Sequence, residues 1–595
     1  MNFIKNVFAS FLGVVLAFLI GLPILFLIFA GIAAAIGGSG DKVVVKPNTV
    51  LKLELGGQIV ENAPEDPLEF NFDELLPFSG TTQKTGLFQV VSSIRRAKDD
   101  ENIKGIYLTL PPAIMTNWAS LKSIHDALTD FKTSGKFVYA YAEMFSENSY
   151  YLASTADKLY MPPTGMLEFN GFASTPMFYT GLFEKIDLKP QIFRVGTFKS
   201  AVEPYFLKEM SPENRMQTEK LIGDLWQVFA EDVAISRSTT VEKINATAEA
   251  FVFGDGLQAK KAGLIDDAVY EEDMMNEIRT ALGFEKDKSV SFLSLKKYLK
   301  APEKTDYSSN KVAIVFAEGD IVSGKSSDGS MGSETIVEAL RKVRKDKNVK
   351  AVVFRVNSRG GSALASDVIA EEIRLLKAEK PVVASMGDYA ASGGYYISAL
   401  CDKIYAQPNT VTGSIGIFGV LFNTKDLFNK NLGLTFDEVE SHTHANFGNP
   451  NFNMPDVEKQ YIQKSVERGY GTFLNVVLKG RGFADSLSVD KIAQGRVWSG
   501  SEAEKIKLVD EIGDLNRAVS AAAEMATLGN DYRLERLPKA VSPVEEILGE
   551  MMETSTEYID SRNPLYEEMK TLREIKKSIP GSGLYMLMPY QFEIK

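Results

Sequence analysis

The sequence is poor in the residues that most often carry chemistry. It has one cysteine, Cys401, and three histidines, His125, His442 and His444, among 595 residues. A single cysteine excludes an intrachain disulfide framework and any site built from several cysteines. The expected role of Cys401 is buried filler. With so few histidines, a hydrolase built on this chain needs another base. Basic charge is short as well: 66 Lys and Arg against 78 Asp and Glu leave a net charge of −12. That argues against a general nucleic-acid binder, which presents a basic face. His442 and His444 alternate as they would on one face of a strand. No acidic or cysteine partner stands at a convincing ligand spacing, so neither a metal nor a cofactor is expected.

Charge is missing altogether from Asn6 to Gly40, and Val7 to Ile36 is mostly Leu, Val, Ile, Phe and Ala. That run exceeds the roughly 20 residues a helix needs to cross a bilayer and the apolar core of about 7–15 residues in a cleaved signal peptide. Residues 1–40 are therefore expected to be a short tail and one uncleaved transmembrane helix, kinked at Pro23. The small residues Ala33–Ala35 and Gly37–Gly40 leave cleavage open as an alternative. Only Lys5 and the amino terminus precede the span, whereas Lys42 and Lys46 follow it. The small head should stay inside while the long domain is exported. No second run of comparable length follows.

A chain of this length should divide into two or more domains, and an internal repeat shows where. At an offset of about 245 residues, Asn102-Ile-Lys-Gly-Ile-Tyr-Leu matches Asn348-Val-Lys-Ala-Val-Val-Phe, and Lys136-Phe-Val-Tyr-Ala matches Lys380-Pro-Val-Val-Ala. Tyr150-Tyr151 matches Tyr395-Tyr396, and Asp157-Lys-Leu-Tyr matches Asp402-Lys-Ile-Tyr. Both copies alternate short apolar runs with helical segments such as Ala119–Lys132 and Ser366–Lys377, the texture of buried parallel strands joined by helical crossovers. The expected organisation is an α/β repeat over 41–284, a polar linker over 285–310, a second α/β repeat over 311–530 and a tail over 531–595 without a readable motif.

The copies differ where chemistry would sit. In the second, a buried run from Val382 ends at Ser392-Gly393-Gly394 before a helix-like stretch. A serine on such a turn is exposed for attack, and the Gly393 N–H at a helix start faces developing negative charge. Alone, Ser-Gly-Gly is as easily a tight turn or a helix cap. The upstream strand–Gly360-Gly361–helix loop offers a second amide, from Gly361, for an oxyanion hole. The first copy has Glu147 opposite Ser392 and Leu110-Pro-Pro-Ala opposite the glycine pair, so it lacks both features. It carries instead Arg194-Val-Gly-Thr-Phe-Lys199-Ser-Ala-Val-Glu-Pro204, whose lysine has no counterpart near Thr443 or His444. One composite site from two halves is the economical reading.

The lysine block Arg194–Pro204, the serine block Gly387–Ile397, Thr412-Gly-Ser414-Ile-Gly-Ile and Leu508-Val-Asp-Glu-Ile-Gly513 together resemble the signal peptide peptidase A (protease IV) family in its long, tandem-duplicated form. The resemblance spans about residues 45–525 and the anchor. It implies two ClpP/crotonase-like domains and a serine protease with Ser392 as nucleophile and Lys199 as general base. It also implies Gly393 and Gly361 as oxyanion donors and Ser414 as the hydroxyl that orients the lysine. The sequence departs from the family at Arg359, where proline is usual before the glycine pair. The partners implied are cleaved signal peptides, the inner membrane with the catalytic domains on its periplasmic side, and further copies in a homotetramer. The lysine must be neutral to act, which burial can achieve; Glu203, close in sequence, is therefore expected to turn away, toward an arginine. An inactive scaffold and a crotonase-type acyl-CoA enzyme are the competing functions.

Overall fold

The computed structural model describes residues 43–63, 84–302, 308–327, 329–539 and 584–588. The expected membrane helix over 7–36 lies outside them, and among the described residues no helix is long and apolar enough to cross a membrane. The duplication read from the sequence is visible strand by strand. In the first repeat six strands pair in parallel in the order Asp267–Ala268, Lys158–Met161, Phe137–Tyr141, Ile103–Thr109, Thr49–Glu54 and Ser291–Ser294. The second repeats that order with Glu511–Ile512, Lys403–Ala406, Val382–Ala391, Val349–Ser358, Lys311–Glu318 and Arg533–Leu537.

Central strands of this kind are covered on both faces and need apolar side chains throughout. Val382–Ala391 is buried at every position, and Val349–Ser358 at all but two. The helices Leu87–Asp99 and Trp118–Lys132 cover the first sheet, and Ser333–Lys345 and Ala363–Lys377 the second, through apolar faces recurring at helical spacing. Each repeat has its own large core cluster.

Two segments depart from expectation. Ser291–Ser294 lies in the stretch read as a linker, and Arg533–Leu537 in the stretch read as a tail. Each instead forms the edge strand beside the first long strand of its repeat. An edge strand has one half-solvated side and tolerates polar residues, so Ser-Phe-Leu-Ser and Arg-Leu-Glu-Arg-Leu look like connecting text in the sequence.

The repeats are welded together. Lys189–Val195 of the first runs antiparallel to Ile417–Asn423 of the second over seven residue pairs. These two strands belong to a six-stranded sheet with Ser330–Gly332, Asp320–Val322, Gly360–Ser362 and Leu584–Leu587. Behind it, Arg355 makes a two-pronged pair with Glu61 across the repeats, at 2.9 and 3.1 Å, both residues 2% exposed. Asp388 accepts hydrogen bonds from the backbone N–H and hydroxyl of Ser120 at 2.8 and 2.6 Å.

Candidate active site

The strand Val382–Ala391 delivers Ser392 to the start of the helix Gly393–Ser398, with Ser392 at φ 55° and ψ −114°. A non-glycine residue in that region is strained and is held only by its surroundings. Here the Ser392 N–H donates to the Gly413 carbonyl at 2.8 Å. Lys199 comes from the other repeat. It sits just beyond Lys189–Val195, so the antiparallel pairing with Ile417–Asn423 carries it across the boundary.

The side chains expected to act together meet within one chain. Lys199 Nζ lies 2.9 Å from Ser392 Oγ, 3.0 Å from Ser414 Oγ and 3.1 Å from the Ser414 carbonyl oxygen. All three residues are fully buried. Burial drives the lysine pKa well below its ordinary value, and among the described residues no carboxylate is close enough to oppose it. A neutral amine has two N–H donors and one lone pair. Ser414 can take both donors through its hydroxyl and carbonyl, which leaves the lone pair for the Ser392 hydroxyl proton.

Glu203 is turned aside as expected. Its carboxylate accepts from the Ser211 hydroxyl at 2.6 Å and the Asn214 side-chain amide at 2.9 Å, with Arg194 3.9 Å away. Gly360 and Gly361 lie beside the start of the helix: a Cβ on Gly360 would come within 2.7 Å of the Gly393 nitrogen. The two expected oxyanion amides thus belong to adjoining loops. Arg359, in place of the family's proline, pairs with Asp320 at 3.0 Å.

The first repeat has a different device at the matching turn. Glu147 accepts from the Asn170 and Gly171 amides at 2.7 and 3.1 Å. The remaining candidates lie elsewhere. Cys401 is buried in the second core, its thiol pKa pushed up to about 12 by burial. His442 is exposed, and His444 rests against Glu458 at 2.9 Å.

Sequence reasoning missed the brace around the lysine. Gln494 accepts from the Phe198 N–H at 2.8 Å through its carbonyl and from the Thr197 N–H at 3.2 Å through its side chain. Gln217 donates to the Ser200 hydroxyl at 2.9 Å and the Phe198 carbonyl at 3.2 Å. Gly495, at φ 79°, packs so tightly on Lys199 that a Cβ there would lie 2.6 Å from its Cα, Cβ and nitrogen. Nothing in Ala493-Gln-Gly-Arg-Val marks the roles of Gln494 and Gly495, since both depend on the lysine loop arriving from some 300 residues away.

A buried serine touching a lysine, beside two glycine-rich loops, is an arrangement in which a serine could be activated without histidine. The sequence model of peptidase family S49 matches the chain twice, over residues 130–285 and 374–529, once in each repeat. Protease 4 of Salmonella typhi is 38% identical over 496 residues, covering 82% of this chain and 77% of that one. Protease 4 of Haemophilus influenzae is 36% identical, covering 86% and 84%. The chloroplastic serine protease SPPA of Arabidopsis thaliana is 32% identical, covering 85% and 73%. The chain belongs to peptidase family S49 and is a serine protease.

Proposed function

We propose that this protease is a Ser/Lys-dyad endopeptidase that degrades cleaved signal peptides and other hydrophobic peptides. In this reading residues 7–36 hold it to the inner membrane with both repeats on the periplasmic side, and four copies assemble. The observation that carries the dyad is the 2.9 Å contact between Lys199 Nζ and Ser392 Oγ, in surroundings that favour the neutral amine. The anchor rests on the uncharged run from Asn6 to Gly40. The assembly and the choice of peptides rest on the family resemblance.

The chemistry follows from the donors and acceptors present. Neutral Lys199 takes the Ser392 proton as Oγ attacks the peptide carbonyl, and the Gly393 and Gly361 amides hold the oxyanion. The resulting ammonium, kept in place by Ser414, returns its proton to the leaving amine. An acyl-enzyme remains. Water, deprotonated by the same lysine, then releases the acid.

Single variants Ser392→Ala and Lys199→Ala test the dyad on a fluorogenic apolar peptide. Ser392→Ala should bring hydrolysis to background, and Lys199→Ala should lower kcat by about 10²–10⁴-fold, with circular dichroism unchanged. Mixing the two inactive variants should restore nothing, because both groups belong to one chain. Full activity in either variant removes the assignment.

A further inference from the structure

The two central strands of the second sheet fall out of step just before the nucleophile. Val356 pairs with Met386 and Ser358 with Ala390. Two steps along one strand thus match four along the other, and Gly387–Tyr389 bulge opposite Asn357. Bulges bend a strand, re-aim its side chains and gather beside active sites. At about 3.3 Å per residue, the two extra residues draw Ser392 back by about 7 Å from where an even strand would put it. The 2.9 Å contact with Lys199 therefore depends on the bulge keeping its shape.

A bulge disrupts the ladder locally and needs other holds. Within its own repeat, the Tyr389 N–H donates to Asn357 Oδ1 at 3.1 Å, and the Gly387 carbonyl accepts from the Thr410 hydroxyl at 2.8 Å. Another hold crosses the repeat boundary. Asp388, in the middle of the bulge, accepts from the Ser120 N–H at 2.8 Å and the Ser120 hydroxyl at 2.6 Å. Ser120 is the third residue of the helix Trp118–Lys132, and Asn117 before it makes no side-chain cap. An N–H in that first turn has no partner inside the helix. Asp388 caps it from the other repeat, where the helix dipole favours a carboxylate. The tie serves both sides: the helix gains its cap, and the bulge gains a fixed point four residues ahead of Ser392. Asp388 and Ser120 are both buried, so water does not compete for these bonds. The copy without a nucleophile has Glu143 at the matching position, and leaves it exposed.

We propose that Asp388 is a positioning residue for the protease reaction: through Ser120 it fixes the bulge that aims the Ser392 hydroxyl at Lys199. This rests on the dyad proposed above. Asp388 acts through the strand and not on the reacting atoms. Without the tie the bulge relaxes and the end of the strand shifts, and a misplacement of about 1 Å costs about 10²-fold in rate. The change falls on reaction geometry, so kcat should drop while KM holds.

The test is steady-state kinetics of the full chain on the fluorogenic peptide, beside labelling with a fluorophosphonate. The labelling endpoint counts reactive Ser392, and the labelling rate reports how reactive each site is. Asp388→Ala should lower kcat by about 30- to 100-fold with KM within about twofold, and should label slowly to the wild-type endpoint. Asp388→Asn keeps an acceptor for the Ser120 N–H and offers a donor to its hydroxyl. It should recover kcat to within about fivefold of wild type. Ser120→Ala spares the 2.8 Å bond and should lose about three- to tenfold in kcat. The double variant Ser120→Ala/Asp388→Ala should lose no more than Asp388→Ala alone. An endpoint that falls in step with kcat marks a merely structural role and overturns the inference. So does an unchanged kcat, a loss confined to KM, or an Asp388→Asn as slow as Asp388→Ala. If Asp388→Ala does not fold, Ser120→Ala decides by the same readouts. Hydrolysis undiminished in Ser392→Ala or Lys199→Ala overturns the dyad, and the inference with it.

Discussion

Replacing Gly495 with alanine tests whether the lysine brace sets catalytic geometry. The new methyl would lie 2.6 Å from the Lys199 Cα, Cβ and nitrogen, about 0.8 Å inside ordinary contact distance. None of those atoms is the loose end of a flexible side chain. Residue 495 cannot easily retreat, because its N–H donates to Ile415 at 2.9 Å and the adjacent Gln494 carbonyl holds Phe198 at 2.8 Å. The lysine loop must give instead. A shift of about 0.8 Å passed to Nζ would stretch the 2.9 Å contact with Ser392 to about 3.7 Å, beyond hydrogen-bonding reach. Misplacement on that scale costs about 10²-fold in rate, or about 2.7 kcal/mol of barrier. Alanine at φ 79° adds about 1–2 kcal/mol of backbone strain, which by itself affects stability only. Gly482→Ala separates the two effects, since its φ is 68° with nothing within 4 Å. Steady-state kinetics on the fluorogenic peptide, with thermal unfolding alongside, should show both variants losing similar stability and only Gly495→Ala losing kcat. If Gly495→Ala keeps kcat/KM within about twofold of wild type, reasoning from contact distance to rate fails.

Ser414→Ala removes one of two acceptors around the lysine amine and leaves the carbonyl at 3.1 Å. It should lower kcat/KM by about three- to tenfold, the worth of one hydrogen bond; a loss as deep as that of Lys199→Ala would contradict its orienting role. At the repeat boundary, burial and then the nearby Glu61 carboxylate push the Glu318 pKa up to about 8. A carboxyl raised above its unfolded value binds its proton more tightly when folded. Its stabilising contribution is therefore full below the ordinary carboxylate range and lost as pH rises toward about 8. Denaturant midpoints between about pH 5 and 8 should fall more steeply in wild type than in Glu318→Gln, and parallel slopes would refute the linkage.

The duplication, the parallel α/β texture and the class of chemistry were legible because they rest on local text. Continuous apolar runs such as Ala351–Phe354 state burial on both faces, and Ser392-Gly-Gly and Gly360-Gly361 state turns that only small residues permit. The complementary losses in the two copies pointed to Lys199 and Ser392 as one pair, although neither residue is remarkable alone. Short edge strands were not legible. Ser291–Ser294 and Arg533–Leu537 are half solvated and carry the polarity of connecting segments.

By itself, the sequence determined what each repeat must bury and which groups could react, since hydrophobic period and residue chemistry are properties of a short stretch. Only the tertiary structure decided how those groups meet. The lowered pKa of Lys199 comes from complete burial, its aim from the pairing of Lys189–Val195 with Ile417–Asn423, and its tight seat from Gly495 and Gln494. The place of Leu584–Leu587 between Gly360–Ser362 and Ile417–Asn423 is of the same kind. Desolvation, register and contact depend on atoms hundreds of residues apart, and no local pattern encodes them.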